Sequence, residues 1–167
     1  MKLQLYLLQL TTYRLPFTVY MSITFRQIKI KDFEFLWQLH NAALKKYITA
    51  TWGWNEDWQR RDFERNFNPD EGEIVVIDGK DAGFLRISEK ETEIALISVR
   101  LLPEFQNRGV GTKLIKEVLV EARAKNKPAR LQVLKINPAQ NLYKKLGFKV
   151  FGETATHFLM RVAPEEI

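Results

Sequence analysis

Cysteine is absent from the 167 residues of this chain, and histidine occurs only twice. Without cysteine the protein cannot form a disulfide framework or a zinc–thiolate site, and it cannot use a cysteine nucleophile to form an acyl intermediate. We expect no metal site. Internal repeats, low-complexity tracts and linkers are also missing. With 46% hydrophobic residues, the chain is long enough for one sizeable core, so the sequence predicts one domain.

Two common phosphate-binding patterns are missing as well. The chain has no GxxxxGK[ST] run, and the GxGxxG pattern is not completed after Gly109 and Gly111. What is present is a glycine-rich bend over residues 106–112. A β-like run, 94–99, precedes it, and an apolar pattern of helical period follows. Such a bend leaves backbone N–H groups free to hold a pyrophosphate, although a plain tight turn is an alternative interpretation.

A second segment, from Asn137 to Phe148, reads as a short helix that ends at Gly147 and continues into a strand. The pattern QxxGxG, a strand over 129–134, and then N(x)5Y with KxLGF resemble the GCN5-related N-acetyltransferase (GNAT) family. This resemblance covers roughly residues 23–161. It implies a single α/β (α+β) domain with a mixed, mostly antiparallel sheet, flanked by helices and splayed open at the acyl-CoA site. It also implies direct transfer of an acyl group from CoA to an amine.

The resemblance assigns the acetyl-CoA contacts to three parts of the chain, the last of which holds Asn137 and Tyr143. The loop residues are Gln106, Asn107, Arg108, Gly109, Val110, Gly111 and Thr112. The preceding strand end, with Ile97, Val99 and Leu101, is expected to pair with the pantetheine arm, and one of its N–H groups to polarise the thioester carbonyl. Asn137 is expected to contact the pantetheine amide or to cap the following helix.

Catalytic candidates follow from the same resemblance. Tyr143 occupies the family's general-acid position, and a phenol with a pKa near 10 is protonated at neutral pH. The alternative is that Tyr143 only packs. Several family members carry a carboxylate before the loop, but Ala95 stands there in this chain. Glu93, acting through a water, and His157 are the candidate bases, whereas we expect His40 to be packed in the core.

Charge is unevenly distributed along the chain. Residues 100–150 carry a net charge of +9, and residues 51–99 a net charge of −6. A polyanionic cofactor accounts for the basic half, which lacks the interleaved aromatics of a nucleic-acid interface, so we expect no nucleic-acid partner. A solvated basic helix face is the simpler alternative.

Aromatic residues concentrate in the first helices and the loop between them, around the start of the acidic stretch 51–99. We expect Tyr47, Trp52 and Trp54 to contact the acceptor, and the acidic balance of 51–99 favours a cationic amine. Packing of these rings in the core is the alternative.

These observations predict an acyltransferase that moves an acetyl group from acetyl-CoA to an amine of a small molecule, peptide or protein. The first alternative is a non-catalytic acyl-CoA sensor. The presence of Tyr143 at the general-acid position argues against it. A nucleic-acid-binding module is suggested only by the pI of 9.5. We expect a cytoplasmic monomer or homodimer without a membrane segment.

Residues 1–20 are expected to be an N-terminal extension to an N-acetyltransferase domain at 21–167, and an upstream start site is one explanation for them. Helices are predicted over 56–67, 109–125 and 138–146, and another is predicted to begin with Asp32 as its N-cap. Strands are predicted over 23–28, 73–77, 83–88, 93–99, 129–134, 148–154 and 156–162.

Overall fold

A computed structural model describes residues 21–167, so the predicted extension lies outside the described residues. Seven strands and four helices follow one another in the order β1 (Ile23–Gln27), α1 (Phe33–Trp52), α2 (Glu56–Asn66), β2 (Glu73–Ile77), β3 (Lys80–Glu89), β4 (Ile94–Leu101), α3 (Val110–Ala124), β5 (Ala129–Leu134), α4 (Ala139–Lys145), β6 (Lys149–Glu153) and β7 (His157–Val162). Three short 3₁₀ segments connect or end them, at Ile30–Asp32, Pro103–Phe105 and Pro164–Glu166.

The strands form one sheet in the order β1-β2-β3-β4-β5-β7-β6. Every neighbouring pair is antiparallel except β4 and β5, which are parallel and joined by the crossover through α3. The predicted mixed, mostly antiparallel sheet and the single domain are therefore confirmed. None of the helices within residues 21–167 has both the length and the apolar character needed to cross a membrane.

The parallel pair β4–β5 is joined only at its beginning. Paired positions run from Ile94 with Ala129 to Leu96 with Leu131, and beyond them the two strands separate. A bulge on β4 lies at the same place, because Ile87 pairs with Leu96 whereas Arg86 pairs with Ser98. The separation opens a wedge in the sheet.

The bulge also changes which face each β4 side chain occupies. The main core contains Ile94 and Leu96 from before the bulge, and Leu101 with Val99 from after it. Since side chains alternate along a strand, the extra residue shifts the alternation by one. Arg100 is therefore carried to the face that packs against α1 and α2.

One face of the sheet packs on α3. This helix buries the stripe that the sequence predicts, with Leu114, Ile115, Val118, Leu119 and Ala122. The other face packs on α1 through a smaller cluster that contains Leu36, Leu39 and Ile74. The sheet that contains the wedge therefore has a helical layer on each face.

The boundaries of the predicted elements agree with the structure to within a few residues. The expected role of the Asp32 side chain is the one correction. Asp32 is the N-cap residue of α1, as predicted, but its side chain makes no capping hydrogen bond to the helix. Its carboxylate accepts hydrogen bonds from the Lys29 amide at 2.8 Å and from the Arg26 guanidinium at 2.7 and 3.1 Å. Charge-assisted bonds to arginine are stronger than a cap to a neutral amide, which explains why this carboxylate turns towards β1.

Candidate active site

The wedge between β4 and β5 opens on one side into a cavity of about 420 Å³, which we call the cofactor cavity. It is lined by the end of β4, the loop before α3, and parts of α1, α3 and α4. The lining includes Val99, Leu101, Gln106, Asn107, Gly109, Gly111, Thr112, Asn137 and Tyr143. Most of the residues predicted to bind acetyl-CoA therefore lie around one cavity.

The loop before α3 is shaped by two residues with left-handed backbone conformations, Asn107 (φ 58°) and Gly109 (φ 80°). Asparagine and glycine tolerate this conformation better than other residues do. The Gln106 side chain fixes the loop to the strand by donating to the Leu101 carbonyl at 2.8 Å. No side chain caps α3, and the helix ladder begins only with the Lys113 amide bonded to Gly109. The amides of 110–112 have no backbone hydrogen-bond partner among the described residues and are available to an anion.

Not every loop residue presents its side chain to the cavity. Val110 is buried in the main core, so only its backbone is available to a ligand. Arg108 is exposed and lies outside the residues that line the cavity. The oxygen of the Asn137 side chain accepts from the Ala139 amide at 2.9 Å, which supports the start of α4.

Tyr143 projects from α4 and is almost fully buried. Its ring meets Phe148 edge to face, with ring centres 5.9 Å apart. Burial raises the pKa of Tyr143 to about 12, above the value near 10 that the sequence alone suggests. The phenol is therefore protonated at every physiological pH and is available as a hydrogen-bond donor.

A second cavity, of about 470 Å³, lies on the other side of the wedge, and we call it the acceptor cavity. It is lined by α1 residues, by β4 from Ala95 to Arg100, by β5 from Arg130 to Leu134, and by His157. Five residues line both cavities: Leu44, Val99, Arg100, Asn137 and Tyr143. The two cavities therefore meet through the parted strands, with Tyr143 at their junction.

The bulge and one of the two candidate bases, His157, line the acceptor cavity, whereas the other candidate, Glu93, does not. Ile97, the bulged residue, is half exposed there. His157 also lines the cavity, with Nδ1 2.9 Å from the Thr156 hydroxyl. Glu93 lies outside the lining, and its carboxylate is paired with Arg130 at 2.9 Å.

A family model described as the acetyltransferase (GNAT) family matches residues 23–148. The chain belongs to this family. The identification predicted from the QxxGxG and N(x)5Y motifs is thereby confirmed. No match to the sequence was found among curated proteins.

Several solved structures share the fold of this GNAT protein at low sequence identity. The PaiA N-acetyltransferase from Thermoplasma acidophilum, in complex with coenzyme A, is 21% identical with a TM-score of 0.70, over 86% of this chain and 99% of its own. The ribosomal-protein-S18-alanine N-acetyltransferase from Escherichia coli is 19% identical with a TM-score of 0.60, over 85% and 94%.

A third similar structure is Arabidopsis thaliana Naa50 in complex with the bisubstrate analogue CoA-Ac-MVNAL. It is 16% identical with a TM-score of 0.58, over 85% of this chain and 99% of its own. At these identities the likeness shows the fold alone.

The aromatic residues predicted to contact the acceptor are separated in this GNAT fold. Trp52 lines the acceptor cavity, with its ring 5.9 Å from that of His157. Tyr47 lies on the other side, in the cofactor cavity. Trp54 donates to Glu56 at 2.6 Å and packs near Trp37, outside both cavities. Only Trp52 is placed to contact an acceptor.

The acidic residues of 51–99 are also away from the acceptor cavity. Among the described residues that line it there is no aspartate or glutamate. Several of these carboxylates are paired with lysine or arginine instead, as Glu56 is with Lys45 and Glu89 with Lys125 and Lys127. The charge argument for a cationic acceptor therefore does not hold at this site.

Arg100 lines the cavities but was not among the site residues predicted from the sequence. It is largely buried, and both cavities of the GNAT fold include it. The sequence did contain one signal for Arg100, because it is the single basic residue in the apolar run of β4. Counting strict alternation from Ile94, however, places Arg100 on the core face, because the bulge is not visible in the sequence.

Proposed function

We propose that this GNAT protein transfers the acetyl group of acetyl-CoA to an amine of a small molecule or a peptide. The observation that carries the proposal is the meeting of two cavities through the parted strands β4 and β5, with the buried phenol of Tyr143 at the junction. One cavity suits a phosphorylated carrier, and the other has room for an acceptor. A phenol between them suits the departing sulfur.

The cofactor cavity supports the donor half of the proposal. The free amides at the start of α3 suit the pyrophosphate of CoA, because helix N-termini favour anions. The end of β4, released from β5 after Leu96, offers extended backbone to the amide groups of a pantetheine arm. The similar PaiA structure was solved in complex with coenzyme A.

The proposed reaction needs no covalent enzyme intermediate. The neutral amine attacks the thioester carbonyl, and a backbone N–H near the bulge at Ile97 stabilises the negative charge that develops on oxygen. The carbon–sulfur bond then breaks, and Tyr143 donates its hydrogen bond to the thiolate. A phenol with a pKa of about 12 holds its proton more tightly than a thiol with a reference pKa near 8.5. Tyr143 therefore keeps its own proton and stabilises the thiolate by a hydrogen bond, and the proton that the amine gives up reaches the sulfur through solvent.

The acceptor amine must lose a proton before or during attack. We propose His157 as the group that receives it, because its ring lines the acceptor cavity. Glu93 is the second candidate, and its ion pair with Arg130 means that it acts only through an intervening water. Both assignments remain proposals.

Release of CoA thiol from acetyl-CoA tests the function directly, across a panel of small amines and short peptides. Mass spectrometry of the products then identifies the acetylated nitrogen. Acceptor-dependent thiol release with an N-acetylated product supports the proposal. Thermal stabilisation by CoA without turnover of any acceptor contradicts it and favours an acyl-CoA sensor.

A further inference from the structure

Arg100 carries a charge that no carboxylate neutralises within residues 21–167. It lines both the acceptor cavity and the cofactor cavity, and also a smaller cavity of about 190 Å³ between α1, α2 and the sheet. Its Nε is shielded from solvent and has no hydrogen-bond partner among the described residues. Burial, with the nearby charge of Arg86, lowers the pKa of Arg100 to about 10. The side chain is thus still cationic at neutral pH.

His40 is the polar neighbour of this guanidinium. The Nη1 of Arg100 lies 3.4 Å from the Nδ1 of His40. Since arginine can only donate, Nδ1 must accept, and the imidazole proton then sits on Nε2. That Nε2 is also buried, and Gln59 is the polar side chain beside the ring. Burial, followed by the charge of Arg100, lowers the pKa of His40 to about 4, so the ring is neutral.

The other charged groups near Arg100 are already engaged. Arg86 is paired with Glu71, and Asp62 lies 3.8 Å from Arg65. Arg130, the second arginine of the acceptor cavity, is paired with Glu93. Within the described part of the chain, the acceptor cavity therefore holds one arginine whose charge is not neutralised. A buried cation without an anion is destabilising, and an anionic ligand would relieve that cost.

We infer that the acceptor carries a carboxylate as well as its amine, and that Arg100 binds this carboxylate while the amine lies near the β4 bulge. This inference rests on the proposed N-acetyltransferase function. Arg100 follows Ile97 by three residues, so the two backbone positions are roughly 10 Å apart along the strand. The planar guanidinium fork matches a carboxylate with two parallel hydrogen bonds.

Two sources supply this chemistry: free amino acids, and peptides that begin with an acidic residue. Matched pairs that differ only in the carboxylate distinguish them. The free pairs are glycine, β-alanine and γ-aminobutyrate, each against its amide. The peptide pair has aspartate or asparagine at the N-terminus of an otherwise identical tripeptide. The three free acids also vary the spacing between amine and carboxylate.

We expect wild-type protein to use at least one carboxylate member with kcat/KM about tenfold or more above its amide. Arg100→Gln should abolish that preference, mainly through KM. Arg100→Lys, which keeps the charge but not the fork, should retain part of it. Arg161→Gln is the matched control, because it removes an exposed β7 arginine outside the cavity lining. Comparing each variant with wild type on the same pair cancels differences in intrinsic amine reactivity.

Equal use of both members, or a preference that survives Arg100→Gln in a variant of unchanged Tm, would overturn the inference and leave the proposed function intact. If Arg100→Gln does not fold, the inference is tested by the carboxylate preference of the wild-type protein and by its reduction in Arg100→Lys. A second measurement does not need turnover: the Tm shift that β-alanine gives to the CoA-bound protein, compared with its amide. If no acceptor is acetylated, the proposed function fails. An Arg100-dependent shift would then still support the carboxylate site, and its absence would overturn that as well.

Discussion

The two cavities that meet at the parted strands are built in different ways. The cofactor cavity depends on consecutive residues of one loop, 106–112, and chiefly on their backbone. The acceptor cavity depends on side chains from α1, β4, β5 and β7, which are far apart in the chain. A ligand held by backbone amides tolerates changes in most side chains, whereas a ligand held by side chains does not. The cofactor side is therefore visible as a local motif in the sequence, whereas the acceptor side is assembled only in the folded protein.

Removing the phenol at the junction of the cavities should have the largest effect. In Tyr143→Phe the ring keeps its packing against Phe148, but the proposed hydrogen-bond donor to the thiolate is lost. We expect kcat to fall roughly a hundredfold or more, with CoA affinity nearly unchanged. Steady-state kinetics and CoA titration measure the two quantities separately. A variant that turns over at the wild-type rate, or that loses only CoA affinity, would mean that Tyr143 is a packing residue.

The backbone character of the cofactor side is tested by Gly109→Val. A Cβ at Gly109 meets no atom within 4 Å, but it would occupy the space proposed for the phosphates and strain a backbone with φ 80°. We expect the Tm shift caused by acetyl-CoA to disappear. Gly79 is the matched control, because it has φ 79°, equally open surroundings and a place in the turn between β2 and β3.

Gly79→Val should lose a similar amount of stability, roughly 1–2 kcal/mol, and keep its response to acetyl-CoA. Comparison of the two variants thus separates backbone strain from loss of the ligand. An unchanged acetyl-CoA shift in Gly109→Val would contradict the assignment of the loop.

The acceptor side should respond more weakly to loss of one side chain. Trp52 lines the acceptor cavity but is 58% exposed, so Trp52→Ala removes contact area at little cost to the fold. We expect KM for the acceptor to rise about three- to tenfold, with CoA affinity unchanged. Trp58 is 52% exposed and lies outside both cavities, which makes Trp58→Ala the control. Equal effects of the two changes would remove Trp52 from the acceptor surface.

The contrast between the two sides also explains what the sequence could predict. The α3 stripe, the glycine bend and the segment around Tyr143 are local patterns, and the structure has the helices and strands that they predict. Arg100 acquires its position from the bulge, and Trp52 from the packing of α1 on β4, which brings its ring to His157 at the start of β7. Those are long-range arrangements that no local spacing encodes. The same limit applies to the acidic residues of 51–99, because their abundance in the sequence does not place a carboxylate among the described residues that line the acceptor cavity.

Asp32 provides a prediction far from either cavity, where we expect the smallest effect on activity. Its carboxylate is buried and accepts from Arg26 and the Lys29 amide, and these bonds, Arg26 first, lower its pKa below the usual value. Because the folded-state pKa is depressed, this stabilisation is present above the unfolded pKa near 3.9 and is lost as the pH falls through the folded pKa. Asp32→Asn should lower the free energy of unfolding by about 1–3 kcal/mol at pH 7, measured by urea unfolding, and turnover should be retained at a temperature at which the variant is folded.

The difference in free energy of unfolding between wild type and Asp32→Asn should narrow below pH 4. Glu34→Gln, which removes an exposed partner of Arg60, is the control and should shift the midpoint little. A gap that stays constant down to acid pH would show that the Asp32 carboxylate stabilises the fold by shape and not by charge.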